Sequence, residues 1–582
     1  MKKNTSDIIA ERLIDWGVNV VFGLPGDGIN GMMEALRTRS NKIKFVLVRH
    51  EEGAAFSAVA YAKFTGRLGV CLSTGGPGGI HLLNGLYDAH MDNAPVLAIT
   101  GRTYSDLIGS GYQQDVDLLR LFSDVAGFNQ LVMNPSHARM CVDLACKFAI
   151  ENRDVAHISI PIDVQEEESS KGRITEHKVP KSTSDILPAV SVPSHSALLK
   201  AASVLNSGKK IVLFVGAGAL GAADEVIALA QKLNAPIVKS LLGKAVVPDE
   251  HPLALGGLGL LGTAAAEEAM EKADTLLMIG TSYPYSDFLP EPGQVNAIQI
   301  DIKADRIGTR YPVSIGLVGD SKATLKALDP LVKPNIHRSF LKEMQNKMDD
   351  WWRLMEKRGS RTDFPLKPQV IAWTLSDLLD EDAIVCSDSG TITTWAARYI
   401  KIKRNQMFSL SGTLASMANG MSYAIGAQIA YPDRQVVALV GDGGFAMLMG
   451  EFSTAVKYDL PIKVIVVKNG VLGMIRWEQI GFLGHPEYGV KFQDIDFVKF
   501  AEACGGVGYR IEKYERVKPI LSRALKERRP TIIEAVVDPN EPPFPARLEL
   551  KHVENLAKAL IKGEPNRKRI ALTLSRDKIK EL

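Results

Sequence analysis

The sequence predicts an α/β protein that consists of three doubly wound parallel-sheet domains. Three stretches of the chain repeat the same alternation of a short apolar run, a glycine-containing turn and a helical pattern. This alternation is typical of parallel sheets that are covered by helices on both faces. Two polar segments, 171–195 and 358–368, separate the stretches, and 582 residues are enough for several cores. We therefore predict domains at 1–180, 190–345 and 360–545 and a basic tail at 546–582.

The composition narrows the class of protein. Apolar residues make up 46% of the chain and charged residues 23%, as in ordinary globular proteins. The net charge of +3 gives no bulk electrostatic attraction to nucleic acid, so we expect no nucleic-acid partner. The five cysteines contain no CxxC pair, and no run of 18 apolar residues occurs. We expect a cytoplasmic protein with reduced thiols, whose N-terminal segment is an amphipathic helix and not a signal peptide.

The first domain is predicted to open with a helix that ends near Gly17, and four strands follow. These are the apolar parts of NVVFGLPG, KFVLVRH, LGVCLS and PVLAITG. Glu51 directly follows the second strand and begins a helix of small apolar residues, so we predict that it is buried. A helix N-terminal charge that is stabilised by the helix dipole is the alternative explanation for this glutamate.

In the second domain a strand, KIVLFV, runs into Gly216-Ala217-Gly218. Two further strands are predicted in ADTLLMIG and AIQID. A Gly-Ala-Gly turn after a strand is a weak dinucleotide signal when it stands alone. Close packing of a helix on a strand explains the same three residues equally well.

The third domain holds the stretch with the clearest chemistry. A strand at 436–440 leads into a turn that we predict only glycine tolerates, Gly441-Asp442-Gly443-Gly444. A helix at 451–458 follows, and a second strand at 462–467 leads to Asn469. This order is one βαβ unit of a parallel sheet.

Asp442 and Asn469 each follow one of these two strands. Parallel neighbouring strands end at the same edge, so the two side chains are predicted to converge. Carboxylate and amide oxygens suit Mg²⁺ or Ca²⁺, and Mg²⁺ with few protein ligands usually also binds phosphate. Glycine amides can cradle phosphate groups. We predict a metal–diphosphate site, with two residues that merely cap loops as the alternative.

The GDG motif and an Asn 27 positions after its Asp resemble the thiamine diphosphate fingerprint. The resemblance extends along nearly the whole chain to the pyruvate oxidase, quinone-linked pyruvate dehydrogenase and acetolactate synthase family, and the pyruvate oxidase branch is the most similar. It implies thiamine diphosphate and Mg²⁺ as cofactors. By the same resemblance Asp442, Asn469 and the backbone carbonyl of Val471 hold the Mg²⁺.

Two motifs of the first domain take part in this resemblance. RHEEGAAF resembles the family's H-E-x-x-A segment, which implies that Glu51 contacts N1′ of the thiamine pyrimidine. GSGYQQD resembles Gly-x-Phe-Gln-Glu, in which Gln114 matches the glutamine. Gln113 and Asp115 depart from that pattern. A solvated loop amide is the alternative for Gln114.

Two motifs of the third domain also match. Ser416-Met417 resembles the position where a bulky apolar residue lies beneath thiamine and imposes its bent conformation, an orientation effect. An ordinary core methionine is the alternative for Met417. Glu478 in GMIRWEQ matches a glutamate of pyruvate oxidases, whereas acetolactate synthases carry Trp there.

The middle domain resembles the FAD-binding members of the family. Its motifs occur in the order seen in those relatives, and the resemblance implies that they hold the ADP part of FAD, with Asp301 in contact with it. Relatives that are simple decarboxylases use the same fold without flavin, so this remains an alternative. The implied residues are Gly216, Ala217, Gly218, Thr281, Tyr283, Asp301 and Asp320.

The resemblance implies oxidative decarboxylation of pyruvate, or of a related 2-keto acid, to acetate or acetyl phosphate, with electrons passing through FAD to quinone or O₂. It also implies a homo-oligomer, a dimer of dimers, in which Glu51 and Asp442 act in one site from different chains. The alternative is a non-redox carboligase or 2-keto acid decarboxylase, similar to acetolactate synthase, with structural FAD. An inactive cofactor-binding scaffold is disfavoured by the intact Glu51, Asp442 and Asn469.

The tail carries nine Lys and Arg against four Asp and Glu between 551 and 582, with a weakly amphipathic pattern. Pro565 breaks any single long helix. Quinone-linked relatives dock on lipid through such a segment, which predicts peripheral contact with the inner face of the membrane. A helix that packs over the active site or lies in solvent is the alternative.

Overall fold

The computed structural model describes residues 3–169, 183–184, 189–543, 545–547 and 550–581. These residues form three units, each built on a parallel six-stranded sheet with helices between the strands, so the predicted α/β class is confirmed. Most of the predicted linker 171–195, and with it the boundary predicted at 180, lies outside the described residues.

The N-terminal domain contains six strands in the order β2-β1-β3-β4-β6-β5. The strands are β1 (Val20–Leu24), β2 (Lys44–Leu47), β3 (Gly69–Ser73), β4 (Val96–Arg102), β5 (Phe128–Leu131) and β6 (Val155–Pro161). The helices are α1 (Thr5–Asp15), α2 (Asn30–Arg37), α3 (Glu51–Thr65), α4 (Pro77–Met91), α5 (Leu118–Leu121), α6 (Pro135–Asn152) and α7 (Ile162–Glu166). Local sequence sets the ends of α3, because His50 caps its start and Gly66, with φ 70°, ends it.

The middle domain contains six strands in the order β12-β11-β10-β7-β8-β9. The strands are β7 (Ile211–Val215), β8 (Ile237–Lys239), β9 (Ala254–Gly257), β10 (Thr275–Ile279), β11 (Asn296–Asp301) and β12 (Ile315–Val318). The helices are α8 (His195–Ser207), α9 (Ala223–Leu233), α10 (Ala264–Lys272), α11 (Ser321–Leu328) and α12 (Ser339–Gly359), the last of which leads to the third domain.

The C-terminal domain contains six strands in the order β14-β13-β15-β16-β18-β17. The strands are β13 (Ile384–Ser387), β14 (Met407–Ser409), β15 (Val436–Gly441), β16 (Lys463–Lys468), β17 (Val507–Ile511) and β18 (Thr531–Val536). The helices are α13 (Pro368–Leu378), α14 (Thr391–Tyr399), α15 (Asn419–Ala430), α16 (Asp442–Met447), α17 (Glu451–Lys457), α18 (Gly473–Trp477), α19 (Phe497–Ala503) and α20 (Tyr514–Leu525). The tail forms α21 (Leu550–Ile561) and α22 (Arg567–Glu581).

Short helical turns complete the chain. The 3-10 turns are Asp27–Ile29, Ala217–Ala219, Ser286–Phe288, Ala304–Arg306 and Asp329–Leu331, and a π-helical turn covers Glu478–Phe482.

Each sheet has a point where the strand order reverses. This point lies between β1 and β3, between β7 and β10, and between β13 and β15. Ligands of open parallel sheets bind outside the carboxyl ends of the strands at such reversals. The topology alone therefore marks the turns that follow these strands as the places to look for a site.

The N-terminal and C-terminal domains share one hydrophobic core, in which α3 packs against α15. The two helices approach closely because Gly426 has no side chain: a Cβ there would lie 2.3–3.1 Å from Ser57 and Ala60. The hydroxyl of Ser57 donates to the carbonyl of Ser422 at 3.0 Å. The packing fixes the two domains of one chain relative to each other.

The tail docks on the C-terminal domain. Apolar residues of α21 and α22 pack on Trp477 and Ile480, and Asn555 donates to the carbonyl of Phe482 at 2.6 Å. Pro565 lies between the two helices, as its effect on helices predicts. None of the helices in the described part of the chain combines the length and hydropathy needed to cross a bilayer.

Candidate active site

A cavity of ≈ 660 Å³ lies at the carboxyl ends of the middle and C-terminal sheets. Its wall contains residues of both domains, so the two strand-order reversals open into one space. The predicted site residues that line it are Ala217, Gly218, Thr281, Tyr283, Asp301, Asp320, Met417, Gly441, Asp442, Gly443, Gly444, Asn469, Val471 and Glu478. The lining does not include Glu51, Gln114, Gly216 or Ser416.

Asp442 and Asn469 lie at the ends of the paired strands β15 and β16. Asp442 is buried, and its carboxylate accepts the backbone N–H of Gly470 at 2.8 Å. The side-chain oxygen of Asn469 accepts the N–H of Val471 at 3.0 Å. The structure thus brings the predicted metal ligands together, through the loop that starts at Asn469.

The environment of Asp442 fits a divalent cation. Burial raises the pKa of this carboxyl, and backbone N–H groups oppose the rise. None of the ion pairs found among the described residues involves Asp442. A buried carboxylate of this kind, next to an amide oxygen, is a donor set that a hard cation such as Mg²⁺ satisfies.

The glycines beside Asp442 are needed for space and not for backbone conformation. We predicted a turn that only glycine tolerates, but Asp442 begins the helix α16 and neither Gly443 nor Gly444 has a positive φ. A Cβ on Gly443 would lie 2.6 Å from the ring of Phe492, and one on Gly444 would overlap the carboxylate of Asp388. The missing side chains leave a backbone surface on the cavity wall, which fits a diphosphate group.

Asp388 packs against Gly444, behind the cavity wall, and was not predicted from the sequence. It follows β13, is fully buried and accepts the N–H of Ser389 at 2.8 Å, while its Oδ2 atom has no hydrogen-bond partner. Burial raises the pKa of Asp388 to about 7, although the N–H groups of Ser389, Ala418 and Asn419 oppose this. An acid directly after a buried apolar strand, the pattern that identified Asp442, was the available signal.

Met417 and Ser416 occupy a loop next to this turn. Met417 is partly buried and lines the cavity, and Ala418 after it adopts a left-handed conformation with φ 72°. The hydroxyl of Ser416 faces the N-terminal domain instead, where Asn84 donates to it at 2.9 Å. Met417 is therefore not an ordinary core methionine.

Glu478 is an exposed residue on the cavity wall and begins the π-helical turn. Such turns are rare and are frequent at functional sites. The tail packs against the same turn, so the position of Glu478 depends on the docked tail as well as on the sheet.

Glu51 lies at the start of α3 and is 6% exposed, as its predicted burial requires. Its carboxylate is 3.0 Å from Nδ1 of His81, whose ring stacks on that of His50. Gln114 has a left-handed backbone (φ 61°) and packs beside Gly76. Neither Glu51 nor Gln114 reaches the cavity of its own chain.

The middle-domain residues lie at the carboxyl edge of their sheet, at the ends of β7, β10, β11 and β12. Gly216 contributes by its small size, because a Cβ there would lie 2.5 Å from Cβ of Thr281. The hydroxyl of Tyr283 donates to the carbonyl of Leu258 at 3.1 Å, and Asp320 caps α11 by accepting the N–H of Ala323 at 2.8 Å. Burial raises the pKa of Asp301.

Two basic residues near Asp301 were not predicted. Lys303 and Arg306 line the same end of the cavity. Cationic side chains in a cavity that also reaches the glycine-containing turn after β7 fit the phosphates of a dinucleotide. The segment DIKADR, directly after a strand, was the signal for them.

The chain belongs to the thiamine pyrophosphate enzyme family. Its N-terminal TPP binding domain matches residues 3–121, its central domain 198–328 and its C-terminal TPP binding domain 388–535. The cavity residues Asp442 and Asn469 fall in the third match, and Glu51 falls in the first.

Three relatives show the range of the similarity. A putative thiamine pyrophosphate-containing protein, YdaP, of Bacillus subtilis is 40% identical over 96% of both chains. Pyruvate oxidase of Lactiplantibacillus plantarum is 30% identical over 90% of this chain and 87% of its own. A probable acetolactate synthase large subunit of Methanocaldococcus jannaschii is 32% identical over 92% of each.

Proposed function

We propose that the protein catalyses oxidative decarboxylation of pyruvate, or of a related 2-keto acid, with thiamine diphosphate, Mg²⁺ and FAD. The product is acetate or acetyl phosphate, and the electrons pass to quinone or O₂. The observation that carries the proposal is the single cavity, which joins the turn at Asp442 to the dinucleotide-type turn after β7. A continuous space lets two cofactors bind close to each other, which favours electron transfer between them. A relative that matches 90% of this chain and 87% of its own length is named pyruvate oxidase.

Each part of the cavity has a binding role in this proposal. Asp442, Asn469 and the backbone carbonyl of Val471 hold Mg²⁺, and the surface of Gly443 and Gly444 accepts the diphosphate. The turn of Ala217 and Gly218, together with Thr281, Tyr283, Asp301 and Asp320, holds the ADP part of FAD. When bound, thiamine diphosphate supplies the electron sink for decarboxylation and FAD takes up two electrons.

The other residues orient the reactants and move protons. Met417 lies in the cavity wall, where its bulk sets the conformation of the cofactor. Glu51 holds a proton at N1′ of the pyrimidine ring, and it reaches the site from a second copy of the chain. We therefore propose a homo-oligomer, a dimer of dimers. Gln114 comes from the same copy as Glu51 and, with Glu478, faces the substrate.

A second function is favoured by a different observation. Acetolactate synthases match the chain as closely as pyruvate oxidase does. A non-redox carboligase or 2-keto acid decarboxylase with structural FAD is therefore the alternative. Glu478 favours the oxidase, because this position carries the acidic side chain expected there.

Rapid mixing of the holoenzyme with pyruvate under anaerobic conditions tests the proposal. We expect the flavin absorbance near about 450 nm to bleach, since the substrate electrons reach FAD. Subsequent addition of quinone or of O₂ identifies the acceptor. A flavin that stays oxidised while acetolactate accumulates would establish the alternative, and a protein that binds no flavin would remove FAD from both.

Quinone as acceptor would place the reaction beside a membrane, and we propose that the basic tail makes that peripheral contact. The tail helices bury their apolar residues on Trp477 and Ile480. Contact through those residues requires the tail to leave this position. Sedimentation with anionic vesicles, compared with a chain truncated after residue 546, measures it; equal binding of both chains would contradict this role.

A further inference from the structure

We propose that Glu451 is a positioning residue that fixes the start of α3, and with it the carboxyl group of Glu51. Glu451 is not among the residues of the cavity, and the proposed function does not use it. It begins α17 in the C-terminal domain, whereas Glu51 begins α3 in the N-terminal domain of the same chain. The inference rests on the proposed role of Glu51 in thiamine chemistry.

The carboxylate of Glu451 binds the backbone just before Glu51. Its Oε1 atom accepts the N–H groups of Arg49 and His50, both at 2.9 Å. Its Oε2 atom accepts the hydroxyl of Thr454 at 2.8 Å, which orients the carboxylate from its own helix. Hydrogen bonds to a charged acceptor are stronger than those between neutral groups.

The contact is closed to solvent. Glu451 is 1% exposed, so water does not compete for these N–H groups. Gly53 makes the approach possible, because a Cβ there would lie 2.5 Å from Oε1 and 2.8 Å from the carboxyl carbon of Glu451. Gly53 lies in the first turn of α3, where its φ is not positive, so the close approach and not the backbone requires glycine here.

Two further side chains in and directly after α17 support the same segment. The hydroxyl of Tyr458 accepts the N–H of Leu47 at 2.7 Å, and the guanidinium of Arg49 donates to Ser453 at 2.8 Å. Three N–H groups between residues 47 and 50 therefore depend on side chains of the C-terminal domain. The carboxylate of Glu451 accepts two of them, those of Arg49 and His50, which are the nearest of the three to Glu51 in sequence.

Catalytic groups must be held in place closely, since a displacement of about 1 Å can cost roughly 100-fold in rate. Removal of Glu451 frees two N–H groups at the start of α3. We therefore expect Glu51 to lose its fixed position while its own contact with His81 keeps the side chain in the same region.

The test uses the variants Glu451→Ala, Glu451→Gln, Gly53→Ala and the double variant Gly53→Ala/Glu451→Ala. Amide hydrogen exchange of the peptide that covers 47–54 is measured without cofactor. Exchange of the C2 proton of bound thiamine diphosphate is measured in the full-length protein loaded with Mg²⁺. Asp143→Ala is the matched control, because Asp143 is a buried carboxylate of the N-terminal domain that binds Arg12 and Trp16.

Glu451→Ala is expected to speed amide exchange at Arg49 and His50 and to slow C2 exchange about 10- to 100-fold. Glu451→Gln keeps an acceptor oxygen, so it should retain most of the amide protection and most of the C2 exchange rate. Gly53→Ala alone should displace the carboxylate of Glu451, and so speed amide exchange and slow C2 exchange. The double variant should differ little from Glu451→Ala, because the two substitutions disrupt the same contact. Asp143→Ala should lower thermal stability without slowing C2 exchange.

Two results would overturn the inference. Unchanged amide exchange in Glu451→Ala would show that the contact does not hold the segment. Faster amide exchange with an unchanged C2 rate would show that the segment does not position Glu51. A wild-type protein that binds the cofactor without accelerating C2 exchange would instead overturn the proposed function, and with it the catalytic part of this inference.

Discussion

The N-terminal and C-terminal domains have the same strand order, 2-1-3-4-6-5 when each sheet is numbered from its first strand. Their carboxyl edges nevertheless carry different chemistry. The third strand of the C-terminal sheet ends at Gly441 and is followed by Asp442, whereas the third strand of the N-terminal sheet is followed by Thr74 and Gly75. The acid of the N-terminal domain, Glu51, comes from a helix that follows the second strand.

Sheet topology therefore fixes where a ligand binds, and the residues that follow the strands fix which chemistry is possible there. The C-terminal edge offers hard oxygen donors and bare backbone, which suit a metal and a diphosphate. The N-terminal edge offers one buried carboxyl beside His81, which suits proton transfer. In the proposed function, two sheets with the same strand order therefore divide cofactor binding and proton transfer between them.

The sharpest test of this division changes the N-terminal acid. Glu51→Gln is expected to slow exchange of the cofactor C2 proton by about 100- to 10,000-fold, the usual contribution of a positioned acid or base. Cofactor affinity should hardly change, because the residues that we propose to bind the metal and the diphosphate lie in the C-terminal domain. Fluorescence titration measures affinity, and Glu34→Gln, an exposed residue of α2, is the control. A large loss of affinity would contradict the division.

The converse variant changes the C-terminal acid. Asp442→Asn is expected to weaken retention of Mg²⁺ and thiamine diphosphate by at least about 100-fold, since changes behind the ligands alone cost about 10- to 100-fold. Treatment of the wild type with a chelator should cause the same loss of cofactor affinity. Added Mg²⁺ should restore the affinity of the chelator-treated wild type but not that of Asp442→Asn. Calorimetric titration gives the affinities, with the exposed Asp433→Asn as control. Equal affinity of Asp442→Asn and the wild type would remove Asp442 from the metal site.

A smaller effect is expected when a side chain is added to one of the glycines beside Asp442. Gly444→Ala places a methyl group against the carboxylate of Asp388 and should destabilise the protein by about 1–3 kcal/mol. Gly441→Ala meets no atom within 4 Å and should leave the melting temperature unchanged. Thermal unfolding of the two cofactor-free variants makes the comparison, and equal melting temperatures would show that the close packing does not limit this position.

The smallest effect concerns the junction of the two domains. Asp88 of α4 bonds Tyr423 of α15 and faces Lys63 and Asp92. Burial raises its pKa to about 6, against the attraction of Lys63. Because the unfolded chain releases this proton at lower pH than the folded one, the contribution of Asp88 to stability falls as pH rises from about 4 to about 6. Asp88→Asn should lack this fall.

Melting temperatures of the wild type and Asp88→Asn across this pH range test the sign. The melting temperature of Asp88→Asn should rise relative to that of the wild type as pH increases to about 6, and the difference should then stay constant. A difference that is constant throughout the range would show that Asp88 does not titrate there.

Local sequence was enough to predict much of the fold. The strands β1, β7 and β15 are apolar runs that end in glycine-containing turns. Both the apolar pattern and the turn residues are properties of a short stretch of sequence. The order of motifs likewise brought Asp442 and Asn469 to adjacent strand ends, because consecutive strands of a βαβ unit are usually neighbours.

The sequence did not predict contacts that depend on packing between distant segments. We predicted that the turn conformation requires glycine at Gly444. The structure shows instead that the nearby carboxylate of Asp388, which follows another strand, leaves no room for a side chain there. The contact of Glu451 with His50 joins residues 401 positions apart. The docking of the tail on Trp477 and Ile480 is likewise a matter of which apolar surfaces fit.

The α/β class, the parallel strands and the residue types at their ends follow from the sequence alone, because hydrophobic period and turn chemistry act over a few residues. Which of these residues lie close together depends on the tertiary structure. It separated Glu51 from the cavity of its own chain, joined the middle and C-terminal edges in one cavity and held the start of α3 with Glu451. Such proximities follow from the packing of whole domains, which no short stretch of sequence encodes.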